Sequence, residues 1–289
     1  MIDKALIVEG GAMRGIFAAG VLDAFIEQSH NPYHFVIGVS AGASNLLGYL
    51  GNAPGRSYQV IKELATSKQF YNPRRFVSGG HLVDVKWLYE ESNRQFPLDQ
   101  DTVFNSVPFI AAATNVSTGL PDYYEVTRSN IAKALEATAS LPLAYKETPC
   151  FDGGCYTDGG VADSIPVREA YRRGARDITV ILSHPLSYEM PKPKSGWLMK
   201  KMFVKHPNVG RALTKRAQNY NESLDFIKNP PLDCVIRVIS PPEHFPVRRL
   251  TMKKELLDVG YDMGRDEGRK HVHHLRGEHV YQQEECPFC

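Results

Sequence analysis

The 289-residue chain has no apolar run long enough to cross a bilayer as a helix, so a transmembrane-helix protein is excluded. Its start, Met1-Ile2-Asp3-Lys4, leads directly into the apolar run Ala5 to Val8. No basic segment followed by an apolar h-region stands there, and a cytoplasmic protein without a secretory signal is expected. Cysteine is scarce: five, an odd number, at irregular spacing. That fits reduced thiols in a reducing compartment better than a disulfide framework. Charge of one sign is missing locally. From Pro191 to Arg216 there is no acidic residue, but there are eight Lys and Arg: Lys192, Lys194, Lys200, Lys201, Lys205, Arg211, Lys215 and Arg216. The overall charge of +2 therefore hides a net acidic remainder.

What is present is an alternation of short apolar runs and helical periodicities. Ala5–Val8, Phe35–Ile37, Phe109–Ala113, Ile178–Leu182 and Cys234–Ile239 read as buried strands. Gly15–Gln28 places Phe17, Val21, Leu22 and Phe25 at helical spacing, and Ala41–Leu50 and Ile131–Ala139 read as further helices. Such alternation predicts an α/β protein with a mostly parallel sheet, whose sites gather at the carboxyl ends of the strands. A single domain over residues 1–289 is expected, with a Pro-containing basic insertion at about 183–216 and a C-terminal helical segment and tail at about 250–289.

Two glycine-rich loops follow the first two strands. Gly10-Gly11-Ala12-Met13-Arg14-Gly15 has the form of an anion cradle at a helix start, a form that nucleotide-binding turns share. Gly38-Val39-Ser40-Ala41-Gly42 has the form of a nucleophile elbow, in which small neighbours let the chain turn sharply around a serine. An acyl transfer needs both parts, a nucleophile and a place for the oxyanion. Asp-Gly-Gly occurs twice. Asp152-Gly153-Gly154 sits between Cys150-Phe151 and Cys155-Tyr156 as a hairpin turn. Asp158-Gly159-Gly160 follows the return strand and could supply a base, although its local sequence alone also suits a turn.

In this order the three motifs resemble the patatin-like phospholipase family over about residues 5–170. Ala113-Thr114-Asn115 with Thr118-Gly119, Ala137-Thr138-Ala139-Ser140-Leu141-Pro142, and Asp158-Gly159-Gly160 with Pro166 add to the likeness. The resemblance implies a three-layer α/β/α fold and hydrolysis of lipid esters by a Ser–Asp dyad, with Ser40 as nucleophile and Asp158 as proton acceptor. It implies an oxyanion loop at Gly10 to Gly15 and no cofactor, metal or nucleic acid. Glu9 stands where the family usually has Asp, and Ala12 where it usually has a third glycine. The cradle tolerates that alanine if its φ is negative. Arg14 matches the family's basic residue, and orienting the loop is at least as good a role for it as touching substrate.

Other readings compete locally. His184, after the fourth strand, is the best histidine for a triad. The basic segment 191–216, with Trp197, Leu198, Met199, Met202 and Phe203, suits either an anionic membrane surface or a cap helix with its apolar face on the core, interrupted at Pro207. His271, His273, His274 and His279 with Cys286 and Cys289 could hold zinc, but the cysteines are better read as a frayed tail. Gly260, Gly264 and Gly268, four apart, predict close helix packing. The alternative to a lipid acyl-hydrolase is a catalytically idle module that binds lipid or a protein through the basic patch.

Overall fold

A computed structural model describes residues 3–192 and 202–277. Eight strands form one sheet in the order β5-β6-β3-β2-β1-β7-β8, with β4 paired to β3 off that path. The strands are β1 (Asp3–Val8), β2 (Phe35–Val39), β3 (Phe109–Asn115), β4 (Pro121–Glu125), β5 (Cys150–Phe151), β6 (Gly154–Asp158), β7 (Ala175–Ile181) and β8 (Val235–Ile239). The five central strands run parallel; β4 and β6 are antiparallel to β3. The sheet is covered on both faces because successive side chains alternate. Leu6, Val8 and Val36 pack with Phe17, Val21 and Phe25 of α1 (Gly15–Glu27) and Leu46, Leu47 and Leu50 of α2 (Ala41–Leu50). Ala5, Ile7 and Ile178 face the opposite way, onto Tyr220, Leu224 and Ile227. The expected three layers follow from that alternation.

Four short helices span a stretch in which no element is expected from the sequence: α3 (Arg56–Gln59), α4 (Pro73–Val77), α5 (Val85–Gln95) and α6 (Gln100–Phe104). A π-helical turn at Val60–Leu64 continues α3. α7 (Ile131–Ala139) and α8 (Val167–Arg172) complete the first two thirds of the chain. The C-terminal third contributes two long helices, α9 (Pro207–Lys228) and α10 (Lys254–Leu275). Pro207 does not interrupt a helix. It begins α9, in the first turn, where a missing N–H costs nothing.

The expected glycine contact is between α10 and α1. A Cβ on Gly264 would lie 2.1 Å from the carbonyl oxygen of Phe17, and one on Gly20 would lie 2.1 Å from that of Tyr261. The two backbones thus touch at residues that lack side chains on both sides.

One expectation is corrected. Cys150 and Cys155 are joined by a disulfide. The turn at Asp152 and Gly153, both at positive φ, closes the β5–β6 hairpin and puts the two cysteines directly opposite each other, their Cα atoms 4.0 Å apart. Irregular spacing along the chain concealed a regular pairing across the hairpin. Cys234 is free and buried.

Candidate active site

The sheet register brings the candidate nucleophile and base together. Val39 of β2 pairs with Ala112, and Asp158 of β6 pairs with the next residue of β3, Ala113. On its other edge β3 pairs with β4 at these same positions, so β2 and β6 share one edge. The chain leaves β2 at Ser40 where β6 ends at Asp158. Ser40 Oγ donates a 2.8 Å hydrogen bond to Asp158 Oδ2.

Ser40 has φ 53° and ψ −125°, a conformation that side-chain-bearing residues rarely adopt. Two features hold it there. Its N–H donates to Thr138 Oγ1 at 2.8 Å, and that hydroxyl donates to the Ala112 carbonyl at 2.6 Å. Gly42 completes the tight turn: a Cβ there would stand 2.4 Å from the Val8 carbonyl oxygen. The role of Thr138 escapes sequence reasoning, in which it belongs only to a run of small residues.

Asp158 is 4% exposed. Its Oδ1 accepts from the Gly160 N–H at 2.8 Å, leaving Oδ2 for Ser40. Thr114 Oγ1 donates to its backbone carbonyl at 2.8 Å. Burial pushes its pKa above the ordinary aspartate value. The Ser40 and Gly160 hydrogen bonds and the nearby Arg249 and Arg216 pull it back in part. Of the two Asp-Gly-Gly sequences, only the second therefore meets the serine.

The first glycine-rich loop lies beside this pair, since β1 and β2 are adjacent and in register. A 3-10 turn, Ala12–Arg14, follows Gly11. Among the described residues nothing accepts from the N–H groups of Gly11 and Ala12. The Met13 N–H differs, reaching the Arg249 carbonyl at 3.4 Å. Arg14 orients the loop. Its Nε donates to the Ser183 carbonyl at 3.1 Å, and its guanidinium reaches Ser183 Oγ at 3.4 Å. Glu9 accepts from the Ser183 N–H at 2.6 Å; burial raises its pKa while that bond and Arg14 oppose the rise. Ser183 thus couples β7 to the loop, another part with no signal in the sequence.

Ala12 fails the expected condition of a negative φ: its φ is 51°, so the loop keeps a glycine-like turn there under strain. A left-handed alanine costs roughly 1–2 kcal/mol relative to an ordinary conformation, where glycine bears almost none of that strain. Ala12→Gly is therefore expected to leave the melting temperature unchanged or raise it slightly, the relieved strain being offset in part by glycine's backbone entropy. A clear drop in thermal denaturation would show that the methyl group is needed for packing.

Ser40, Ala12 and Met13 help line an apolar cavity whose interior reachable by the centre of a water molecule is about 130 Å³. Leu47, Val60, Ile61, Val83, Val85, Leu88 and Leu135 form its walls. They come from α2, the turn after α3, α5 and its approach, and α7, which explains why the unexpected short helices matter.

His184 does not join Ser40. It stacks on Tyr188, ring centroids 3.8 Å apart, and burial with neighbouring arginines pushes its pKa down to about 3. His271 packs against Phe25 and His30 in the core, its pKa pushed by burial to about 4. His279, Cys286 and Cys289 lie outside the described residues, as do Lys194, Trp197, Leu198, Met199, Lys200 and Lys201 of the basic segment. Of that segment's described residues, Phe203 is buried against Val161, Val209 and Ala212, while Met202 is exposed.

The sequence profile of the family described as "Patatin-like phospholipase" matches residues 6–171, the part that carries Ser40, Asp158 and the glycine-rich loop. The chain belongs to that family. A second profile, a domain of unknown function, matches residues 206–277 of this patatin-like protein, which contain α9, β8 and α10. The chain is 36% identical over 273 residues to an uncharacterized protein, YjjU, of Escherichia coli strain K12, covering 92% of this chain and 76% of that one. It is 26% identical over 226 residues to lysophospholipase NTE1 of Lodderomyces elongisporus, covering 71% of this chain but only 15% of the relative. Lysophospholipase NTE1 of Kluyveromyces lactis is 24% identical over 282 residues, 90% of this chain and 19% of that one. VipD of Legionella pneumophila shares the fold, with TM-score 0.52 and 14% identity over 93% of this chain and 66% of that one. Membership supports lipid-ester hydrolysis in general terms. Among the described residues no helix is long and apolar enough to cross a membrane.

Proposed function

We propose that this patatin-like protein is a serine acyl-hydrolase that cleaves a carboxylic ester of a phospholipid or similar lipid through Ser40 and Asp158. The observation that carries the reading is the 2.8 Å bond between Ser40 Oγ and Asp158 Oδ2, with Ser40 lining an apolar cavity. In this reading the acyl chain enters the cavity. Asp158 takes the Ser40 proton as Oγ attacks the ester carbonyl carbon. The N–H groups of Gly11 and Ala12, from which nothing among the described residues accepts, receive the oxyanion. The departing alkoxide recovers the proton from Asp158, and water activated by the same carboxylate then releases the acyl group from Ser40. A carboxylate is a weak base, and burial makes this one stronger. An idle module has no chemical need for the complete set. No metal or cofactor enters the scheme. Exposed Val204 with Lys205, Arg211 and Lys215 supports a peripheral seat on an anionic membrane surface.

A fluorophosphonate is expected to modify Ser40, read by mass spectrometry of the labelled peptide. An unlabelled Ser40 under conditions that inhibit the enzyme would overturn the assignment. His184→Ala is expected to keep ester hydrolysis, whereas a loss as deep as that of Ser40→Ala would make the histidine the base. The pH profile follows from the direction of the Asp158 shift. Only the ionised carboxylate accepts a proton, so kcat/KM rises with pH through its raised pKa. The acid limb is expected above the ordinary aspartate value of 3.8. A limb at or below that value would count against Asp158 as base.

A further inference from the structure

A second cleft borders Asp158, with about 230 Å³ reachable by the centre of a water molecule. Asp158 and Gly160 line its floor, Arg216 and Arg249 its cationic wall, and Leu143 and Met202 its rim, 42% and 46% exposed. Arg249 borders both this cleft and the apolar cavity, so the two spaces meet at Ser40 and Asp158.

The arginines here are held together without acidic partners. Among the described residues neither Arg216 nor Arg249 forms an ion pair with a carboxylate, although exposed arginines elsewhere, such as Arg168 and Arg176, do. Arg216 spends its Nε on the Gly160 carbonyl at 2.6 Å, which leaves the rest of its fork for another acceptor. Arg216 and Arg249 repel each other and both act on Asp158. Like charges gathered in a partly buried cleft are costly unless an anion joins them. Asp158 attracts both arginines, but its side-chain hydrogen bonds among the described residues go to Ser40 and Gly160 and to neither guanidinium. Arg216 lines this cleft and not the apolar cavity, while Arg249 borders both.

We propose that Arg216 and Arg249 bind the phosphate of the substrate's leaving group, so that the enzyme prefers lipid esters whose alcohol carries a phosphate near the scissile bond. The proposal rests on the hydrolase reading and gives the segment 206–277 a role: both arginines belong to it. Arg216 comes from α9 and Arg249 from the loop before α10, so that segment supplies the head-group half of a site whose nucleophile and base, and most of whose acyl cavity, come from residues 6–171. A guanidinium fork matches two phosphate oxygens better than a lysine does.

The experiment compares two esters with the same acyl chain, a monoacyl glycerol phosphate and the monoacylglycerol without phosphate, by kcat/KM. The wild type is expected to favour the phosphate ester by at least tenfold. Arg249→Gln and Arg216→Gln are expected to reduce that ratio by about 10-fold or more each, mainly through KM, as lost hydrogen bonds to a charged group do. Arg249→Lys is expected to restore part of it. A wild type without preference, or variants that lower both rates with the ratio intact, would overturn the proposal. Arg249 lies on an exposed loop, so its variant reads the site even if Arg216→Gln fails to fold. Calorimetric binding to Ser40→Ala separates this proposal from the hydrolase reading. Binding of glycerol phosphate that is lost in Ser40→Ala/Arg249→Gln supports the subsite even if no ester is cleaved. Binding of inorganic phosphate with equal affinity would show a general anion site and overturn the head-group assignment.

Discussion

Ser40→Ala is expected to lower kcat for a short-chain p-nitrophenyl ester by about 10⁴- to 10⁶-fold, the scale seen when a serine hydrolase loses its nucleophile. The short chain tests the chemical step without demanding a particular lipid. Asp158→Asn is expected to fall by about 10⁴-fold, because an amide retains the shape but cannot take the proton. Equal rates for wild type and Ser40→Ala would end the hydrolase reading and leave a binding module. The two variants separate on stability. The folded-state pKa of Asp158 is raised by burial, so the carboxyl favours the fold most when protonated. That contribution is complete below the unfolded-state pKa and disappears as pH climbs through the folded one. At neutral pH the ionised Asp158 therefore weighs against the fold. Asp158→Asn is expected to melt at or above the wild-type temperature there, with the difference shrinking as pH falls toward that of a free carboxyl. A variant that melts well below wild type at neutral pH would show that the carboxylate's hydrogen bonds outweigh its burial.

The second large effect lies away from the chemistry. Gly264→Val is expected to destabilise the protein by about 3 kcal/mol or more, at the upper end of overpacking. A Cβ at this position would meet the Phe17 carbonyl at 2.1 Å, and backbone cannot rotate aside as a side chain can. At roughly 2–4 °C per kcal/mol for a large domain, the midpoint should drop by about 6–12 °C. Val259→Ala, at an exposed position on the same helix, is the control and should cost far less. A Gly264→Val protein with wild-type melting would mean that α1 and α10 are not in backbone contact. Activity should suffer with stability, since α1 starts where the oxyanion loop ends.

Much of this was legible in the sequence because it is local. Runs such as Ala5–Val8 announce buried strands, and the elbow around Ser40 and the Asp152-Gly153 turn carry their geometry in their residue types. Gly260, Gly264 and Gly268 announce their contact through spacing alone. What was illegible depends on register and on distance along the chain. The disulfide needs Cys150 opposite Cys155. Thr138 and Ser183 act by reaching backbone far from them in sequence. Arg249 is one arginine among many until the fold puts it beside Asp158. Residues 51–108 fold into short helices, and of these α3 and α5 line a cavity, where no long apolar stripe is needed.

The meeting of β2 and β6 on one edge of β3 has a consequence in time. Ser40 is synthesised 118 residues before Asp158, and only a neighbouring pair of positions on one strand brings them together. A slip of β6 by one residue would turn Asp158 to the other face of the sheet. In the proposed reading, a nascent or misregistered chain therefore carries a serine without its base. The proposed centre forms only once the β5–β6 hairpin has docked on β3, so its activity would wait on that pairing.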